Sequence, residues 1–225
     1  MRIWHKGIDG IHAFYINGLL RSLFMSLTTI YVPIFIYLLA KDQGATIQKS
    51  ILLVAMFFVV ERLFVVIFLI PLSRLIEQIG FRKSISLSVI FLIGYTMCLY
   101  LADKNISWLW LATIFGGIQI PMYWISRDSA LSQDVESQQM GTKMGYVAAI
   151  ENIAGLTGPF VGGTIVLLYG YTSLFLVALA ILMLSAVPLW WMPRHSHRNG
   201  VSLRGFFNHL KNKGYTHQLV ANFAS

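Results

Sequence analysis

A few ionisable and amide side chains are scattered through otherwise apolar stretches of this chain: Arg21, Glu61, Arg62 and Glu151, with Asn17, Gln119 and Asn152. A charge in the hydrocarbon region costs ~2.5–3.5 kcal/mol on insertion scales, so it is paired or faces water. Such groups can hold or relay a proton or an ion, or orient a polar solute, because amides and carboxylates offer donors and acceptors that lipid lacks. Nucleophilic catalysis and metal chemistry find no footing. Cys98 is the single cysteine, and His12 lies near the end of an apolar stretch. His195, His197 and His209 sit in a basic segment with no cysteine or carboxylate to complete a site, so no metal, no cofactor and no enzymatic activity are expected.

The elements that carry these residues must cross a membrane. The chain has 225 residues, 56% of them hydrophobic and 12% charged, with mean hydropathy +0.67. Soluble domains carry roughly 25% charged residues. About 20 apolar residues span the hydrocarbon core, and six stretches qualify, at about 16–40, 50–72, 85–102, 107–126, 145–168 and 171–192. The expectation is an all-α membrane protein with six transmembrane helices in residues 1–193. A basic cytoplasmic linker follows at 194–217, and 218–225 reads as the start of a truncated seventh span.

Net charge +8 raises nucleic acid as a partner, but the basic residues sit in short loops between apolar spans, and no nucleic acid is expected. Their sidedness is informative instead. Twelve Lys and Arg fall on one side, among them Arg2, Lys6, Arg74, Arg82, Lys83, Arg127 and Lys143, against Lys41, Lys49 and Lys104 on the other. Positive charge accumulates in the cytoplasm, so both termini are expected there, with the plasma (inner) membrane as the location and the lipid bilayer as a partner.

Depth suggests a pairing. Arg21 lies five residues into the first span and Glu151 about six into the fifth, both roughly 8–9 Å from the cytoplasmic face at about 1.5 Å per residue. A salt bridge between them is expected, the alternative being an Arg21 that snorkels to the headgroups. Glu61, near the middle of the second span, is the candidate proton or cation site. A lock to Arg62, Gln119 or a residue outside the chain is the competing reading.

Two motifs carry a resemblance. Ser73-Arg74-Leu75-Ile76-Glu77-Gln78-Ile79-Gly80-Phe81-Arg82-Lys83, between the second and third spans, resembles the cytoplasmic signature of the major facilitator superfamily. In the fifth span Gly145, Ala154, Gly158-Pro159 and Gly162-Gly163 resemble the signature of its antiporters, with alanine for one glycine. Gly-Pro and Gly-Gly in mid-span suit helices that pack backbone to backbone and bend. The base that proton-coupled members carry before the fourth-span glycines is absent from Leu111–Phe115, ahead of Gly116-Gly117.

The resemblance implies the amino-terminal half of the major facilitator fold, a 3+3 inverted repeat completed by a missing C-terminal six-helix half. It also implies alternating-access transport of a small-molecule substrate, secondary active and possible as drug/proton antiport-like efflux. A cytoplasmic gate of Ser73, Glu77, Gly80, Arg82, Lys83 and Arg127 would follow, with Arg21, Glu61, Arg62, Gln119, Glu151 and Asn152 as the transport path or coupling groups. The open alternative is a six-span assembly factor or receptor that uses the same half-fold without transport.

Overall fold

The computed structural model describes the backbone of residues 7–134 and 140–188. The expected linker at 194–217, the apolar end at 218–225 and the last residues of the sixth span lie outside the described residues. The elements run α1 (Gly7–Thr28), α2 (Tyr31–Asp42), α3 (Ile47–Ile79), α4 (Phe81–Ala102), α5 (Trp108–Asp134) and α6 (Met140–Ala186). Five stretches among the described residues are long and apolar enough to cross a membrane.

α1 and α2 form one such stretch, Ile16–Asp42. Pro33, with no N–H to donate, deprives the Thr29 carbonyl of its helical partner and loosens the turn at residues 29–30. The Thr28 and Thr29 hydroxyls reach back to the carbonyls of Phe24 and Met25, at 2.9 and 2.6 Å. Ile30 keeps right-handed helical angles (φ −79°, ψ −34°), so the chain holds its direction through the weak turn.

α3 ends at Gly80, whose φ of 89° and ψ of 152° few other residues adopt, and the chain re-enters a helix at once as α4. The helix that carries the fourth expected span, at 107–126, continues beyond it. α5 runs on to Asp134, because Ile125–Asp134 contains no Gly or Pro to end it. Arg127 is therefore a helix residue rather than a loop residue.

α6 carries the expected fifth and sixth spans in one 47-residue element that leaves helical geometry at Gly170 (φ 79°, ψ 176°). Its two arms meet the first span in opposite order. Gly158 lies beside Ser26 and Gly162 beside Tyr31. Beyond Gly170, Tyr171 and Phe175 touch Phe35, and Ser185 then meets Asn17.

Two apolar clusters stack along the bundle. One joins Phe35, Ile36, Phe57, Leu99 and Phe175, and the other joins Phe24, Val89, Leu92, Tyr123 and Leu182. Buried hydroxyls between them turn inward on their own helices. Ser88 donates to the Ile85 carbonyl at 2.7 Å, Thr96 to Leu92 at 2.9 Å and Thr113 to Trp110 at 2.7 Å. Such bonds satisfy a small polar group locally while keeping helices close.

The glycines of the fifth expected span pack at the contact with the first span. A Cβ on Gly162 would stand 2.6 Å from Tyr31 Cε2 and 3.1 Å from the Leu27 carbonyl oxygen. Ala154 is buried, whereas nothing stands within 4 Å of a Cβ at Gly145. Pro159 interrupts the backbone ladder here, and its own carbonyl accepts the Tyr31 hydroxyl. Tyr31→Phe should lower thermal stability in detergent by ~1 kcal/mol, the net worth of one such bond. An unchanged melting curve would show that the hydroxyl contributes nothing.

Candidate functional site

Several buried polar groups that are not satisfied within their own helices, Arg21, Gln119 and Arg127, link α1, α5 and the first arm of α6. Position on the helices decides this. Gln119, Tyr123 and Arg127 recur every four residues of α5, so they form one stripe, and all three are buried. Arg21 in α1, 2% exposed, faces that stripe.

Arg21 Nη2 donates to Gln119 Oε1 at 2.5 Å. Its guanidinium also lies over the Tyr123 ring, 3.6 Å from the centroid, a geometry in which the ring face attracts the cation. Arg127 Nη2 pairs with Glu151 Oε1 at 2.7 Å, and its guanidinium sits 4.8 Å from the centroid of Trp124. Asn17 joins α1 to the second arm of α6 by donating to the Ser185 carbonyl at 2.7 Å.

The expected Arg21–Glu151 salt bridge does not form. Both residues belong to helices that pack together, but Glu151 is taken by Arg127. The 2.7 Å contact between Arg127 and Glu151 joins α5 to the first arm of α6 on either side of the α5–α6 connection. Arg21 does not snorkel either. The α5 stripe offers it an amide and an aromatic face inside the bundle.

Glu61 forms a second buried point, 4% exposed, packed on the backbone of α5 rather than on an amide. A Cβ on Gly116 would come within 3.0 Å of Glu61 Cδ, and one on Gly117 within 3.1 Å of the Phe64 carbonyl carbon. The glycine pair therefore lets α3 and α5 close around the carboxyl group. Arg62, the next residue and about 100° round the helix, is exposed with Val59, Leu63 and Val66. Gly117→Leu should separate α3 from α5 and cost ~2–3 kcal/mol, because the clash is with backbone as well as side chain. Thermal unfolding of the purified chain reads that loss, and a neutral result would mean that α3 tolerates a different seat.

The motif between the second and third expected spans lies at the α3–α4 junction. Ser73 Oγ donates to the Ile70 carbonyl at 2.8 Å. Gly80 makes the α3–α4 break, Glu77 ends α3, and Arg82 and Lys83 open α4. Arg127, expected among them, is committed to Glu151 and Trp124. Asn152 lies exposed on α6, turned away from the stripe that holds Glu151's partner.

Sequence reasoning missed Tyr31 and Ser26 as the partners of the fifth-span glycines, and missed the depth of Arg127. The run-on of α5 past Ser126 was the available signal for the second. The first had none, because a contact 128 residues away leaves no local mark.

No curated relative matches the chain. A family model described as Major Facilitator Superfamily matches residues 18–218, which covers every helix described above except the first half of α1, with Asn17. Members of that family are transporters rather than enzymes. With its apolar helices and this match, the chain is an integral membrane protein that belongs to the Major Facilitator Superfamily.

Proposed function

We propose that the chain moves a small solute across a membrane by alternating access, as a six-helix half that works with a second such half. The observation that carries this reading is the polar stripe of Gln119, Tyr123 and Arg127 facing Arg21 inside an apolar bundle. A bundle stabilised for packing alone gains nothing from buried arginines, whose desolvation is expensive. Transport families place their polar groups near the interface of their repeats, where a solute is handed from one side to the other.

The opposite order in which the two arms of α6 meet the first span supports a crossing on each side of Gly170, hence six crossings and a 3+3 repeat. The exposed face of α3, with Arg62 among its aliphatic residues, supports a second half seated against it. The surplus of Lys and Arg on one side supports cytoplasmic termini, with the plasma (inner) membrane as the location. Glu61, buried against Gly116, is the group for ion coupling, and the bendable fifth span fits antiport-like exchange without naming the direction.

Flux into sealed vesicles tests the proposal. Vesicles carrying the protein should take up at least one solute from an anionic, neutral and cationic set saturably, and an ionophore that collapses the ion gradient should slow the uptake. Uptake equal to that of protein-free vesicles for every member would contradict it.

A further inference from the structure

Arg21 is 2% exposed, and its Nε and Nη1 find no hydrogen-bond partner among the described residues. Its one acceptor is the neutral amide of Gln119. Arg127 Nε and Ser126 Oγ are likewise buried without partners. Buried donors nearly always find an acceptor, and a guanidinium left open costs more than a neutral group would. Charge tells the same story. Arg127 has Glu151 as its counter-charge, while Arg21 has no carboxylate partner among the described residues.

Resting on the transport reading, we propose that this cluster is the subsite for an anionic group of the solute, a carboxylate or phosphate, held chiefly by Arg21 with Arg127 and Ser126 behind it. The planar fork of Arg21 presents adjacent donors that match two oxygens of such a group. The anion exchanges for the Gln119 amide on Arg21, as water exchanges for a ligand elsewhere. At the edge of the cluster Glu151, its side chain 25% exposed, and Trp124, 47% exposed, both touch Arg127. A neutral solute would leave the positive charge unanswered, and a cation would add to it.

The test uses the full chain in phosphatidylcholine nanodiscs, titrated with inorganic phosphate and with succinate. Sucrose and tetraethylammonium serve as neutral and cationic controls. Binding is read by thermal unfolding and by tryptophan emission, with Trp124→Phe used to assign the signal beside Arg127. Saturable stabilisation by phosphate or succinate is expected, weakened about tenfold or more in Arg21→Gln. Arg21→Lys, which keeps the charge but loses the fork, should weaken it similarly and covers the case in which the glutamine variant does not fold. The subsite is overturned by no response to either anion, by an equal response in the variants, or by the same response to sucrose or tetraethylammonium. Arg21-dependent stabilisation by phosphatidylglycerol discs, with none by phosphate or succinate, would assign the site to a lipid headgroup and also overturn it. The two readings fail separately: anion binding without vesicle flux removes transport, and flux of neutral or cationic solutes without anion binding removes the subsite.

Discussion

Gly158→Leu is expected to prevent accumulation of folded chain, while Gly155→Leu, three residues earlier, leaves it nearly unchanged. A Cβ at Gly158 would lie 2.5 Å from Ser26 Cβ and 2.8 Å from the Ser26 carbonyl carbon, so neither side chain nor backbone of α1 can yield cheaply. A Cβ at Gly155 meets nothing within 4 Å. Overpacking costs ~1–3 kcal/mol even where a core can relax. Here the helices would have to part along the whole contact, which also carries Gly162, Gly163 and the Tyr31–Pro159 bond. We expect a loss above ~3 kcal/mol, enough to deplete a marginally stable fold. Membrane abundance together with thermal unfolding of the two variants reads the difference. Equal behaviour would mean that the glycines do not mediate a backbone-close contact.

The second large effect belongs to the ion pair. Glu151→Gln leaves Arg127, its side chain 8% exposed, without an anion. Removing one partner of a buried pair costs ~3–5 kcal/mol because the other charge stays desolvated. Glu151 is a quarter exposed, so ~3 kcal/mol is the expected figure, part of it recovered through Trp124. The exchange Arg127→Glu with Glu151→Arg should restore much of the loss, since the 2.7 Å contact joins the two side chains directly. Exchanging Arg21 with Glu151 should not, because those two residues do not meet. Unfolding temperatures of the single and exchanged variants decide it, and rescue by the Arg21 exchange would reverse the assignment.

The helices were legible because lipid imposes length and apolarity on anything that crosses it. The expected fifth and sixth spans already parted at 169–170, where Gly170 leaves helix geometry, and the close seat of Gly158 and Gly162 was legible because Gly-Pro and Gly-Gly in mid-span suit helices that touch backbone to backbone. Partner choice among the buried charges was not. Depth placed Arg21 and Glu151 at one level, but depth says nothing about rotation around a helix axis, and Arg127 won Glu151 on that ground. The boundary of α5 hid Arg127 further, since a charge in mid-sequence reads as a loop until the absence of a stop signal is weighed. Asn152 shows the converse: its neighbour Glu151 reaches the stripe, and one residue's rotation of about 100° takes Asn152 to the exposed face.

The most direct measurement is sidedness of access to the buried stripe. In a Cys98→Ala background, Gln119→Cys would be exposed to a membrane-impermeant maleimide in right-side-out and in inside-out vesicles. Asp103→Cys, on the exposed turn between α4 and α5, serves as a control that reacts from one side alone. A solute path that alternates predicts reaction of the Gln119 position from both sides, slowed by the transported solute. Silence from both sides, with the control reacting normally, would mean a sealed polar core and would contradict transport through this bundle.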